Sequence, residues 1–191
     1  MGIDEAGRGA LAGPVTAACV VFSPPVTQFS GFGIKDSKLL TPEKRESLSI
    51  WVFNNALCSA VGWASKDEVD RLNIRQATLL AMRRAIHSLP LEFLEGTPLL
   101  FAFDGKDILP DFPYPQVAII GGDRIVLSIA AASILAKVAR DRYMNDIDAH
   151  SPEYHFANHK GYGTEEHRRT LQQFGISPYH RVTFCRKILS I

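Results

Sequence analysis

The sequence predicts an α/β fold built on one mixed sheet, and three observations predict it. Continuous apolar runs of strand length occur at Pro14–Phe22, Pro98–Phe103 and Gln116–Ile120, the pattern of strands covered on both faces. Helix-start signals with capping residues fall between these runs. Strand-like and helix-like segments alternate loosely along the chain, which selects α/β over separate layers of one type. The chain has 191 residues, enough for one sizeable core, so a single domain over 1–191 is expected. Residues 151–191 are expected to form a C-terminal loop and helical part.

Each element has a local reason. Pro14–Phe22 is apolar and β-branched, bounded by Gly13-Pro14 and Pro24-Pro25, and reads as a strand. Residues 23–38, rich in Gly, Ser, Pro and Phe, read as a loop. Thr41-Pro42-Glu43 starts a helix, with Thr as cap, Pro in the first position and an acid in the first turn; it should reach about Asn54. Leu57–Ala64 is a second strand. Ser65 and Glu68 have capping-box spacing for a short helix. Asn73 can cap a longer helix to Leu89, with Ala77, Leu80, Ala81, Ala85 and Ile86 on its apolar face. Pro98–Phe103 ends in Asp104-Gly105, and Gln116–Ile120 ends in Gly121-Gly122-Asp123. Arg124–His150 reads as one long helix, apolar in its first half and polar in its second, stopped by Ser151-Pro152. His155–Gly163 is expected to be a polar loop. Thr164 opens a helix to about Phe174, and Gly175 ends it.

Composition excludes several classes. The net charge is +1, so total charge does not announce a nucleic-acid binder. Residues 151–191 carry six Lys/Arg against three Asp/Glu and four of the six His, a mildly basic region that fits a phosphate-facing surface as well as an ordinary solvated one. Cys19, Cys58 and Cys185 are far apart with no C-x-x-C; Cys19 and Cys58 sit in apolar runs and are expected to be buried thiols in a reducing, cytoplasmic compartment. No apolar run approaches the ~20 residues of a membrane span, and the first residues lack a signal-peptide pattern. No apolar stripe is left over, so a monomer with no membrane association is expected.

The acids are the informative residues. Asp4 and Glu5 precede Gly7-Arg8-Gly9, Asp104 ends one apolar run, and Asp123 follows another after a glycine pair. In open α/β sheets ligands bind beyond the carboxyl ends of strands. Clustered carboxylates cannot all stay ionised without a cation, and all-oxygen donor sets suit Mg²⁺ or Mn²⁺ rather than zinc. An acid at a strand end is more often a turn residue or a helix cap, and Asp123 could simply cap the helix behind it. Asp4 and Glu5 also face opposite ways in a regular strand, so they share a site only if the strand ends or bends there. With two residues before Ile3, that strand is expected to be very short and the α-amino group to lie close to Asp4.

The full pattern resembles one family. Ile3-Asp4-Glu5-Ala6-Gly7-Arg8-Gly9, followed by Leu11-Ala12-Gly13-Pro14-Val15, resembles the opening motif of ribonuclease HII. Asp36-Ser37-Lys38-Leu39, Asp104-Gly105, Gly122-Asp123 with the helix Ser128–Arg142, His159-Lys160-Gly161-Tyr162-Gly163-Thr164 and His180-Arg181 resemble its later motifs, in order and over nearly the whole chain. The resemblance implies a ribonuclease H-like fold, a mixed five-stranded sheet flanked by helices with a helical C-terminal part. It implies an endonuclease that hydrolyses the RNA strand of RNA/DNA hybrids and cuts 5′ of single ribonucleotides embedded in duplex DNA, leaving 5′-phosphate and 3′-hydroxyl ends. Asp4, Glu5, Asp104 and Asp123 would be catalytic and hold two divalent ions, Mn²⁺ or Mg²⁺. The Gly7-Arg8-Gly9 turn would read the 2′-hydroxyl, the group that separates RNA from DNA at a sugar, and Tyr162 would stack under that sugar.

Gly7 and Gly9 fit their implied role, since no Cβ blocks the approach of their backbone to a sugar. Tyr162 between two glycines is an odd place for a core residue, although exposed loop tyrosines are common. Lys38, Lys160, His180 and Arg181 are candidate phosphate contacts, each equally readable as a solvated side chain. Asp141 shares a helix face with Ser133 and Lys137 and is expected to form ion pairs rather than to hold metal. His155 and His159 have helical metal spacing but no third ligand at a convincing distance. Two other readings stay open: another ribonuclease H-fold nuclease such as a Holliday-junction resolvase, which needs neither the glycine turn nor Tyr162, and a non-catalytic hybrid-binding module, against which the four acids count.

Overall fold

Five strands pair into one mixed sheet in the order β3-β2-β1-β4-β5, and the placement of the short first strand at its centre organises the rest. The computed structural model describes residues 1–23, 40–96 and 98–189; Lys38 and the Asp36–Leu39 motif lie outside the described residues. The strands are β1 (Gly2–Ala6), β2 (Val15–Val21), β3 (Cys58–Ala64), β4 (Phe101–Asp104) and β5 (Gln116–Ile119). The helices are α1 (Pro42–Asn55), α2 (Lys66–Leu72), α3 (Ile74–His87), α4 (Leu91–Gly96), α5 (Leu127–Asp148), α6 (Phe156–His159), α7 (Glu165–Phe174) and α8 (Val182–Leu189). β1 runs antiparallel to β2 and parallel to β4, and β4 runs parallel to β5.

The sheet is covered on both faces, which is why its inner strands read as unbroken apolar runs. Ile3, Ala17, Cys19, Phe101 and Phe103 pack with Ala77, Ala81, Ala85 and Ile86 of α3. Ala6, Ala18 and Val20 pack with Ala131, Ala132 and Ala136 of α5. Small residues let α5 lie close to the sheet, and Ile129, Ala131, Ala132, Ile134 and Ala136 are completely buried.

The capping residues act as the sequence predicts. Thr41 accepts from the Lys44 N–H, Asn73 from Arg75 and Gln76, and Thr164 from His167. Ser65 and Glu68 form the reciprocal box. Each such cap supplies about 1 kcal/mol to its helix.

Several expectations are corrected. β1 is a full five-residue strand paired on both sides, and the α-amino group donates to the Leu100 carbonyl at the end of the strand away from Ala6. The long helix does not start at Arg124. Gly121 takes a left-handed conformation, residues 122–124 make one tight turn, and α5 begins at Leu127. The segment expected as a loop, His155–Gly163, contains the short α6, and a tight turn at Pro152–Tyr154 precedes it. Helices α4 and α8 were not anticipated. Cys19 is buried but Cys58 is half-buried. Among the described residues no helix is long and apolar enough to cross a membrane.

Candidate active site

Register brings the acids together. Ile3 sits beside Phe103 in the parallel β1–β4 pair, so the next step along both strands places Asp4 beside Asp104. Both face α5, because Ile3 and Phe103 face α3 and side chains alternate. Asp123 arrives from the tight turn between β5 and α5. One carboxylate oxygen from each of Asp4, Asp104 and Asp123 lies within 4.8 Å of the others. Asp123 is not the N-cap of α5: that position is Val126, which makes no side-chain cap hydrogen bond.

Glu5 is not one of the three. The strand continues through Ala6, and alternation sets the Glu5 side chain apart from that of Asp4. Its carboxylate takes the Arg8 guanidinium at 3.3 Å. Glu5 nevertheless lines the same cleft as Asp4 and Asp104, a cavity of about 220 Å³ that also meets Gly7, Arg8, Lys137 and Tyr162.

The electrostatics fit a hard cation. Asp4 is 5% exposed, and burial pushes its carboxyl well above the usual range; the neighbouring Glu5 and Asp104 charges push it further, against a hydrogen bond from Ser133. Asp104 Oδ1 is buried with no hydrogen-bond partner among the described residues. A buried acceptor left unpaired costs about 1–3 kcal/mol, and a divalent ion among three carboxylates would relieve both the orphaned oxygen and the crowded charge.

Beside the acids, the chain turns sharply through residues 7–14, and two buried arginines hold that turn. Arg181 is fully buried and donates to the carbonyls of Arg8, Ala10 and Gly13. Arg140 on α5 is also fully buried and donates to Ala12, Pro14 and Lys160. Gly7 has φ +91°, and a Cβ there would stand 2.0 Å from Arg140 Nε, so both conformation and space demand glycine. Burial pushes Arg181 down to about 9, and the neighbouring Arg140 adds to the shift; it remains a cation at neutral pH.

The predicted phosphate contacts divide. His180 and Arg181 have no exposed surface and are corrected from surface contacts to internal braces. The physical reason is that the Arg8, Ala10 and Gly13 carbonyls need an internal donor, which Arg181 supplies, while His180 is held between Ser177 and His167. Lys160 lies at the surface, its Nζ near Asn145 Oδ1 and the Ala157 carbonyl. Asp141 pairs with Lys137 at 2.6 Å and Arg45 at 3.8 Å and stands outside the acidic trio. Tyr162 is half-buried at the cleft mouth, with Arg140 5.2 Å and Lys137 5.6 Å from its ring centre. Among the described residues His155 and His159 join no cluster that could hold a metal; His159 stacks on His167 with ring centres 4.1 Å apart. Sequence reasoning missed Arg140 and the cleft position of Lys137. The second had a signal, since Lys137 follows Ser133 by one helical turn.

The chain resembles known proteins along nearly its full length. The family model for ribonuclease HII matches residues 1–187. A ribonuclease HII from Synechocystis sp. is 44% identical over 189 residues, covering 98% of this chain and 97% of the relative. One from Coxiella burnetii is 48% identical over 183 residues, covering 96% and 86%. Among solved structures, a ribonuclease H2 from Pyrococcus horikoshii OT3 superposes with a TM-score of 0.78 at 25% identity, covering 99% of this chain and 96% of that one.

Proposed function

This chain belongs to the ribonuclease HII family, and from that premise we propose that it cuts RNA strands in RNA/DNA hybrids and single ribonucleotides embedded in duplex DNA, with two divalent ions held by its acids. The observation that carries the reading is the juxtaposition of the Asp4–Asp104–Asp123 trio with a glycine turn and Tyr162 on one cleft.

The acids supply the donors for the ions, with Asp4, Asp104 and Asp123 converging and Glu5 at the cleft edge. When bound, Mg²⁺ or Mn²⁺ supplies the Lewis acidity for in-line phosphodiester hydrolysis. The chain's own residues do the selecting. The backbone of Gly7, Arg8 and Gly9 is presented at the cleft with no bulky side chain at either glycine, so a sugar hydroxyl can approach it. Tyr162 offers a flat ring for the sugar beside that turn. Arg8, paired with Glu5 and 43% exposed, is placed to meet a phosphate, as is Lys160. The two buried guanidiniums keep the turn from relaxing, so the 2′-hydroxyl meets a preformed surface. A missing hydroxyl leaves those polar groups unpaired, which is how a site rejects the smaller analogue strongly.

The test is cleavage of an end-labelled DNA duplex bearing one ribonucleotide, with Mg²⁺, Mn²⁺ or chelator, beside an RNA/DNA hybrid, an all-DNA duplex and a four-way junction. Metal-dependent cutting 5′ of the ribonucleotide is expected, with 5′-phosphate ends. Resolution of the junction without cutting at the ribonucleotide would move the chain to another nuclease class. Tyr162→Ala should lower cleavage at the single ribonucleotide by about 10–100-fold while duplex binding falls much less; equal losses in both would remove its proposed role.

A further inference from the structure

Behind Tyr162 lies a chain of buried neutral histidines whose hydrogen bonds run in one direction. The Ser177 N–H and hydroxyl lie 3.0 Å and 2.7 Å from His180 Nδ1. His180 Nε2 lies 2.9 Å from His167 Nε2. His167 Nδ1 lies 3.0 Å from the Tyr162 carbonyl. Both ends fix the protons. A carbonyl can only accept, so His167 carries its proton on Nδ1 and accepts at Nε2. A backbone N–H can only donate, so His180 accepts at Nδ1 and donates from Nε2. The two assignments meet in one His180-to-His167 hydrogen bond without conflict. A proton on both facing nitrogens would set two donors 2.9 Å apart and break the chain. Burial favours the neutral rings, pushing His167 down to about 4 and His180 to about 3.

Polar rings in this place are not needed for packing. Phe156 and Tyr154 already pack against these histidines, and an apolar core would bury as much surface. A satisfied polar network adds a single geometry, since donors and acceptors match in one register only. Tyr162 needs that. It lies between Gly161, with φ +78°, and Gly163, so its flanks impose little conformation of their own. Its carbonyl receives both the Thr164 N–H at 2.8 Å and the His167 ring. The same layer joins the glycine turn: Leu11 N–H donates to the Gly161 carbonyl, and Ala10 and Ala12 form bridges with Tyr162 and His180.

We infer that the Ser177–His180–His167 chain fixes the Tyr162 backbone, and so its ring, against the glycine turn, making His167 and His180 positioning residues for cleavage at a ribonucleotide. This rests on the role proposed above for Tyr162.

Two measurements on the full chain test it. Nitrogen-15 NMR at pH 7 should find His167 protonated on Nδ1, the minor form of free neutral imidazole, and His180 and His159 on Nε2. His167 protonated on Nε2 would overturn the inference. In the single-ribonucleotide assay, His167→Leu removes the donor and should lower kcat about 10–100-fold with KM little changed. His167→Asn, whose amide can reach the Tyr162 carbonyl, should recover most of the loss. Combining His167→Leu with Tyr162→Ala should do no more than Tyr162→Ala alone, because both act through one ring. Losses that multiply, or a His167→Leu protein as active as wild type, would discard the inference and leave the function standing. A wild-type chain that cuts neither hybrid nor embedded ribonucleotide would remove the function itself.

Discussion

The acidic cleft and the layer behind the glycine turn both bury charged or polar groups, and they treat them in opposite ways. In the cleft the groups are left in want. Asp104 Oδ1 has no partner among the described residues and Asp4 is held far above its ordinary titration range. In the layer behind, Arg140 and Arg181 between them take carbonyls from Arg8 to Pro14, and His159, His167 and His180 each find a donor and an acceptor; one Nη2 of Arg181 is the exception. Groups meant to meet a ligand stay under-satisfied, and groups meant to hold a shape are saturated.

The contrast is broken most directly by paired substitutions in metal-free protein. Arg181→Met leaves three turn carbonyls without this donor and should lower stability by about 1–3 kcal/mol or more, read by chemical unfolding with chelator. Asp104→Asn should leave stability equal or higher, because it removes one of the crowded charges, yet it should abolish cleavage. An Asp104→Asn protein as unstable as Arg181→Met would erase the distinction.

Adding Mn²⁺ to wild type should raise stability by about 2.7 kcal/mol at a hundred times its dissociation constant, with little gain in Asp104→Asn. Equal gains in both proteins would place the ion elsewhere.

Acid should pull the two regions in opposite directions. His167 and His180 bind protons more weakly folded than unfolded, so their contribution is complete above about pH 6.5 and is lost as pH falls toward about 4 and about 3. Asp4 binds its proton more tightly when folded, so in metal-free protein it subtracts stability as pH rises from its unfolded value, and acid relieves it. Asp4→Asn should therefore gain over wild type at alkaline pH and lose that gain toward pH 4. Unfolding free energies across pH check both, and a constant difference between the two proteins would contradict the account of Asp4.

The smallest effect is expected at Asp141. It pairs with Lys137 and Arg45, all three mostly buried, so Asp141→Asn should lower stability by about 1–2 kcal/mol and keep substantial activity. An inactive but folded Asp141→Asn protein would draw this residue into the cleft's machinery.

What could be read in the sequence followed from the range of each interaction. The caps at Thr41, Ser65, Asn73 and Thr164 act within three residues, and each starts its helix as expected. The unbroken apolar runs marked β2, β4 and β5; β2 and β4 are buried as such runs imply, whereas β5 is a half-exposed edge strand. The acids at the ends of β4 and β5 were legible with those runs. The first strand was not, since Gly2–Ala6 is short and carries two acids; pairing with β2 and β4 makes it a strand. Glu5 shows the limit most clearly. Its place in the motif suggested a fourth acid beside the trio; its carboxylate meets Arg8 outside the three that converge, yet it lines the same cleft as Asp4 and Asp104. His180 and Arg181 looked like surface cations because nothing near them in sequence accepts their protons. The acceptors of Arg181 lie 168 to 173 positions away, and only the folded chain reveals them.

That separation orders events in time as well as in space. The turn that carries Gly7, Arg8 and Gly9 leaves the ribosome well before Arg181, which secures it from 168 to 173 positions further along. Until residue 181 arrives, the carbonyls of Arg8, Ala10 and Gly13 lack this donor, however well β1, β2 and α5 have packed. Contacts closing so long a loop form late and slowly. A nascent or truncated chain thus gathers its acids before it acquires the rigid turn beside them, so the means of hydrolysis would form ahead of the means of choosing where to cut.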